Sequence, residues 1–199
     1  MISCILLSAG LSSRFGSPKA LARIKNGTVI EHMLNTLVLV KNITEIIVVL
    51  GADAQRIKAG ILNHKKVKVV YNKDYNLGQT SSFKTGLQNT SLEAKGIMLL
   101  PVDYPAIKKE TFEAIIGCFF KENPPILIPT FNGHKGHPSL FSSKLKEEFL
   151  KLDAAAGLNT IARHHLPKDT FLLSVSDEGI TRTFNTLKEW EKLSKLFEE

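Results

Sequence analysis

The sequence is short of cysteine, has no long apolar run and carries no dense block of charge, and each shortage removes a class of protein. Cys4 and Cys118 are the only two cysteines in 199 residues. Isolated as they are, they offer neither a metal-ligand spacing nor a disulfide framework. Both sit in apolar runs and are expected to be reduced core residues of a cytoplasmic protein. No apolar run approaches the roughly 18 residues that span a membrane. The opening "MISCILLSAG" has no basic residue ahead of its apolar stretch, and the stretch flows straight into a loop. It is expected to be a first buried strand, not a signal peptide. The net charge of +7 comes mostly from dispersed lysines. No basic stretch is interleaved with aromatics, so neither nucleic acid nor a membrane is an expected partner. A solvated lysine-rich surface accounts for the charge, and a phosphorylated small substrate is the other reading, because a positive field raises its encounter rate.

What is present is ordinary globular chemistry in a repeating order. Hydrophobic residues make up 43% and charged residues 23% of the chain, which excludes disorder. The length suits a single domain over residues 1–199. Apolar, β-branched runs occur at 2–7, 46–50, 67–70, 97–100, 126–128 and 171–175. They are continuous rather than alternating, as in strands buried on both faces of a mostly parallel sheet. Helical spacing lies between them. Ile30, Met33, Leu34, Leu37 and Val38 form one apolar face, with Thr28 and Glu31 as a capping box. Phe112, Ile115, Ile116, Phe119 and Phe120 form a second. Leu187, Trp190, Leu193 and Phe197 form a third, opened by Thr186 and Glu189. Pro124–Pro125 reads as a tight loop before a strand. No repeat or low-complexity linker interrupts the pattern, which is that of a three-layer α/β/α sandwich.

In such a sheet ligands bind beyond the carboxyl ends of the strands. The first strand end is "LLSAGLSSRFGSPK", residues 6–19. It fails the G-x-G-x-x-G dinucleotide fingerprint, since Leu11 and Ser12 follow Gly10. It fails the P-loop pattern too, since Ser17–Pro18 precedes Lys19. Gly10 and its small neighbours let backbone N–H groups approach an anion. Arg14 and Lys19 supply charge-assisted bonds to phosphate oxygens. A surface loop with incidental cations fits the composition equally well. The second strand end is "GIMLLPVDYP", residues 96–105, where Asp103 stands between Pro101 and Pro105. A carboxylate there, opposite a phosphate cradle, suits Mg²⁺, which takes one or two carboxylates plus phosphate oxygens and water. A turn or N-cap aspartate is the competing reading.

Together these stretches resemble the L-x-x-G-x-x-x-R-x-G-x-x-K signature of the MobA-like nucleotidyltransferases. "NLGQTSSFKTGL" (76–87) is similar to that family's G-x-x-x-S-x-x-x-G-L segment, and Asp103-Tyr104-Pro105 to its D-x-P. "GHKGHPSLFS" (133–142) is similar to the G-x-x-G-H-P-x-L-F of its cytidylyltransferase branch, and "FNTLKEW" (184–190) to its Asn/Asp-Thr-Pro helix start. The resemblance implies a Rossmann-like sheet of the nucleotide-diphospho-sugar transferase, GT-A-like type. It implies transfer of a nucleoside monophosphate from an NTP to a phosphorylated acceptor, the molybdopterin cofactor, with pyrophosphate leaving. Leu7, Ser8, Ala9, Gly10, Arg14, Lys19, Gly78, Gln79, Ser82 and Asp103 are then the expected nucleotide site. Arg14, Lys19 and Asp103 are the expected catalytic set, and Asp103 with Asn185 the expected Mg²⁺ ligands. Asn185 as a plain helix cap beside Thr186 is the alternative. Gly136 and His137 are expected on the acceptor side, with Gly136 opening the backbone to the ligand. A transient contact with an acceptor molybdoenzyme would follow. His134 and His164–His165 have no ligand-spaced partners and are not expected to hold metal.

Guanylyl-type members carry Gly-Gly where this chain has Ala9–Gly10, and cytidylyl-type members carry Ala-Gly, so the resemblance implies CTP. The chain departs from the cytidylyl branch at "LDAAAGLN" (152–159), where Ala155 replaces an aspartate and Asn159 an arginine. Leu187 replaces the proline after Asn-Thr. Two other readings stay open: a sugar-1-phosphate nucleotidyltransferase, and a catalytically weak nucleotide-binding chaperone or regulator of a molybdoenzyme.

Overall fold

The computed structural model describes residues 1–25, 27–164 and 168–197, with the backbone alone at 162–164. His165 and the His164 side chain therefore lie outside the described residues. The described residues form ten strands: β1 (Ile2–Ser8), β2 (Arg23–Ile24), β3 (Gly27–Thr28), β4 (Ile43–Leu50), β5 (Val67–Tyr71), β6 (Gly96–Pro101), β7 (Ile126–Phe131), β8 (His134–Lys135), β9 (Ser139–Ser142) and β10 (Thr170–Ser174). The α-helices are α1 (Val29–Leu39), α2 (Ala54–Lys58), α3 (Gln79–Gln88), α4 (Lys109–Glu122), α5 (Lys146–Lys151), α6 (Asn159–His164) and α7 (Leu187–Ser194).

The main sheet runs β10-β7-β9-β6-β1-β4-β5, with β8 paired to β7, while β2 and β3 form a separate small ribbon. β1 is central. It pairs in parallel with β4 on one side and β6 on the other, so Ile5 lies between Ile47 and Leu99. All seven of its residues are buried. This explains its continuous apolar run: neither face meets water. Ile2, Cys4 and Leu6 join the core built with α1, α4 and α7. Ile5 and Leu7 point the other way, toward Phe83 and Leu87 of α3, Phe149 of α5 and Ile161 of α6. The expected three-layer α/β/α sandwich with a mostly parallel sheet is what the chain forms.

Both anticipated capping boxes are made: Thr28 with Glu31 opens α1, and Thr186 with Glu189 opens α7. α4 is opened differently. Its N-cap, Lys108, has no side-chain cap bond. Buried Asp177, from a distant loop, accepts instead from the Lys108 N–H at 2.9 Å, the Thr111 hydroxyl at 2.6 Å and the Gly179 N–H at 2.9 Å.

Several expectations need correction. β9 was not foreseen as a strand, and it runs antiparallel to both β6 and β7. β5 and β10 are edge strands and are not buried on both faces; Phe171 and Leu172 are exposed. Phe120 and Leu187 are exposed rather than part of their helices' apolar faces. Cys118 is only partly buried. Pro124–Pro125 does precede a strand, as read.

The strand order turns back between β1 and β6: the chain proceeds outward through β4 and β5, then returns across to β6. That reversal opens a crevice above the carboxyl ends of β1 and β6. It depends on α3 lying close against β1. A Cβ on Gly86 of α3 would stand 2.5 Å from Ile5 Cγ2. Gly86→Ala is therefore expected to destabilise the protein by about 1–3 kcal/mol, measured as a lower urea midpoint with an unchanged slope.

Candidate active site

Ten residues after β1 decide what the crevice can hold. The loop 9–18 turns on Ser12, whose φ is +52°, and Gly16, whose φ is +81°. The N–H groups of Phe15 and Gly16 both donate to the Ser12 carbonyl, at 2.9 and 3.0 Å. Phe15 is the loop's anchor. It is buried, and its ring meets Phe184 edge-on at 5.3 Å, which in turn lies 4.5 Å from Trp190. With Phe15 turned inward, Arg14 faces the crevice. Gly10 is exposed, and a Cβ there would meet nothing within 4 Å. No packing demands that glycine, and its absent side chain leaves the backbone open to a ligand.

Lys19 follows at the start of a short 3-10 turn, Lys19–Leu21. Its Nζ donates to Asp103 Oδ2 at 2.8 Å and to Asn185 Oδ1 at 2.9 Å. Arg14 Nη2 donates to the same Asn185 oxygen at 3.0 Å. The Lys19 ammonium also lies 5.7 Å above the Phe184 ring. Four side chains from the first loop, the turn after β6 and the C-terminal segment thus meet in one network. Asn185 is freed for it because Thr186, not Asn185, caps α7.

These groups border a cavity of about 400 Å³. Leu7, Ser8, Ala9, Gly10, Arg14, Lys19, Gly78, Gln79, Ser82, Asp103 and Asn185 all line it, so the expected nucleotide residues and metal ligands are brought together. α3 begins at its wall. Its N-cap is Gly78, with a φ of +108° and no side chain to cap the first turn. The free N–H groups there and the positive end of the helix favour an anion. Ser81 and Ser82 are held by buried Asn72, whose Nδ2 donates to them at 2.9 and 3.0 Å. Tyr75 and Asn76, after β5, also line the cavity. The sequence reading gave no role to Asn72 and Tyr75 and none to Asn76 within the quoted 76–87 stretch, although the end of β5 was as good a place to look as the ends of β1 and β6.

The expected acceptor residues sit elsewhere. Gly136 and His137 are not among the cavity-lining residues. A Cβ on Gly136 would strike the Ile180 carbonyl, so chain packing, rather than an open approach for a ligand, explains this glycine. The His137 N–H donates to that carbonyl at 2.9 Å. Its ring meets Tyr104 at 4.6 Å, and its Nδ1 is buried without a partner among the described residues. Burial pulls the His137 pKa down, against the opposing pull of nearby Asp103 and the Leu99 carbonyl. Burial, then Asp103, pushes Tyr104 up. His137 thus lies close enough to Asp103 to feel its charge.

Asp103 and Asn185 offer a carboxylate and an amide oxygen, converging on one cation, the Lys19 ammonium. Hard oxygen donors in that number fit Mg²⁺ that also takes phosphate oxygens and water. Among the described residues no group of three or more His, Cys, Asp or Glu is placed to hold a metal by protein ligands alone. No described helix is long and apolar enough to cross a membrane.

Comparison with known proteins points the same way. Residues 4–170 match the model of the MobA-like NTP transferase domain. A probable molybdenum cofactor guanylyltransferase of Bacillus thuringiensis (strain Al Hakam) is 31% identical over 152 residues, which cover 74% of this chain and 72% of that protein. The molybdenum cofactor cytidylyltransferase of Escherichia coli (strain K12) is 27% identical over 141 residues, covering 71% and 70%. Among solved structures, Rv0371c of Mycobacterium tuberculosis H37Rv superposes with a TM-score of 0.83 at 22% identity, over 98% of this chain and 97% of that one. Its manganese complex superposes with a TM-score of 0.75 at 22% identity, over 98% of each chain.

The charge lining the cavity gives a test that needs no nucleotide. Inorganic tripolyphosphate should bind, and Lys19→Ala should weaken it by about ten- to a hundredfold, the worth of one charge-assisted bond of roughly 1.5–3 kcal/mol. Calorimetry showing equal affinity for the two proteins would remove Lys19 from the anion site.

Proposed function

This chain belongs to the MobA-like NTP transferase family, and from that premise we propose that it transfers a cytidylyl group from CTP to the phosphate of a molybdopterin-type acceptor. One observation carries the reading: Arg14, Lys19, Asp103 and Asn185 converge at a cavity lined by a small-residue loop. An acceptor phosphate oxygen forms a bond to the α-phosphorus, and the bond from that phosphorus to the bridging oxygen breaks. Pyrophosphate leaves with both electrons of that bond. Such a transfer needs positioning and charge neutralisation more than covalent help.

The chain's residues divide that work. The backbone at Ala9 and Gly10 and the first turn of α3 cradle the nucleotide. Lys19 and Arg14 carry the charge that accumulates on the departing pyrophosphate. Asp103 and Asn185 would hold Mg²⁺, which when bound neutralises phosphate oxygens and draws charge from the reacting phosphorus. Phe15, locked against Phe184, keeps Arg14 turned to the ligand.

CTP is favoured by the floor of the cavity. Ala9 lines the cavity, and a methyl there in place of a hydrogen is read as favouring the smaller ring. The relatives are named both ways, as guanylyl- and cytidylyltransferases, so the base is the part of the reading that this methyl supports. The acceptor is supported by the relatives' names. Two free cysteines, Cys4 and Cys118, suit a reducing cytoplasm.

Pyrophosphate release with Mg²⁺, molybdopterin and each NTP in turn tests the proposal. CTP should be the better substrate, and a tenfold preference for GTP would assign the chain to guanylyl transfer. Asp103→Ala should fold normally and lose more than about a hundredfold in turnover. A folded, fully active variant would mean that Asp103 plays no part.

A further inference from the structure

The cation that Asp103 and Asn185 enclose is the chain's own. Lys19 Nζ stands 2.8 Å from Asp103 Oδ2 and 2.9 Å from Asn185 Oδ1, between the two oxygens best suited to a divalent ion. The Asn185 oxygen also accepts from Arg14 at 3.0 Å, which uses its second lone pair. The pair is largely withdrawn from water, with side-chain exposures of 14% for Lys19 and 20% for Asp103. The Phe184 face, 5.7 Å from the ammonium, braces it from one side.

We propose that Lys19 is a built-in counter-cation that fills the divalent-ion position in the nucleotide-free protein and is exchanged out of it when a triphosphate binds. The inference rests on the nucleotide-site reading given above and adds an order of events to it. A divalent ion arriving alone meets an ammonium and a guanidinium already bonded to its ligands, and is repelled. A triphosphate brings oxygens that can take over Lys19 and Arg14. Their departure uncovers Asp103 and Asn185 together, so metal and nucleotide enter as a coupled pair. The flexible stem and single point of charge of lysine suit this exchange, whereas arginine's rigid fork would hold the carboxylate more firmly.

Binding of Mn²⁺ alone, followed by the resonance of the free ion, is the test, and it needs no turnover. Wild-type protein should bind Mn²⁺ at least tenfold more weakly without a CTP analogue than with one. Lys19→Met, and Lys19→Gln as a second variant that keeps a polar head, should each gain a nucleotide-independent Mn²⁺ site at least tenfold tighter than wild type. Adding Asp103→Asn to Lys19→Met should abolish the gain, and Lys41→Met, which removes one exposed charge elsewhere, should produce none. Equal Mn²⁺ affinity in wild type with and without an analogue that calorimetry shows to be bound, or variants that bind Mn²⁺ no better than wild type, would overturn the exchange. Variants that gain the site while wild type binds no CTP analogue would uphold Lys19 as the resident cation and sink the nucleotide reading instead.

Discussion

Everything at the active end of this protein hangs on an ion pair between residues 84 positions apart, Lys19 and Asp103. Neither can reach the other unless the loop after β1 and the turn after β6 emerge side by side. The parallel register of these strands ensures this, setting Leu7 against Pro101, and the Val102 N–H closes onto the Leu7 carbonyl at 3.0 Å. Two charges drawn this far from water cost solvation that their mutual attraction recovers only with further bonds. Asn185 supplies one of them, and Arg14 and Asn185 extend the network to a second cation. The site is thus the output of the sheet's topology, with polar groups on three separated segments satisfied by one another.

An apolar contact holds the third segment in place. Phe15, Phe184 and Trp190 meet in sequence, edge-on and then tilted, with Phe197 6.5 Å beyond Trp190 and His32 of α1 beyond that. The loop after β1 is therefore not a free loop with cations on it. Its one aromatic is built into the core shared by α1 and α7, and its cations are aimed by that burial. Rigid anchoring of this kind lowers the ordering cost of binding a flexible, highly charged ligand.

Much of this was legible in the chain. Continuous apolar runs and the two capping boxes depend on neighbours in sequence, so the layers, the central strands and the starts of α1 and α7 could be read locally. Arg14, Lys19 and Asp103 stood out because each follows a buried strand with small residues or prolines around it. What escaped depends on distant partners. The four residues of β9 are too few for periodicity to separate them from a loop, and only pairing with β6 and β7 makes them a strand. Asp177 caps α4 from 66 residues beyond Thr111. Asn72 acts through Ser81 and Ser82, which no spacing rule links to it. The exposure of β5 and β10 is a property of the sheet's edge rather than of their composition. Gly136 carried a plausible ligand reading, yet the carbonyl of Ile180, far along the chain, is what demands it.

The position of Asn185 has a further consequence for biosynthesis. Among the described residues every strand lies before it, the last ending at Ser174. A nascent chain released before residue 184 would contain every strand of the sheet, yet lack Asn185 and leave the Phe15 ring without Phe184 and Trp190. Domains fold as they leave the ribosome, N-terminal parts first, so the sheet can assemble while the site is still unfinished. Premature termination in this region would yield a protein that holds its strands but cannot aim Arg14 and Lys19, so the segment from residue 184 onward completes a site that the sheet only begins.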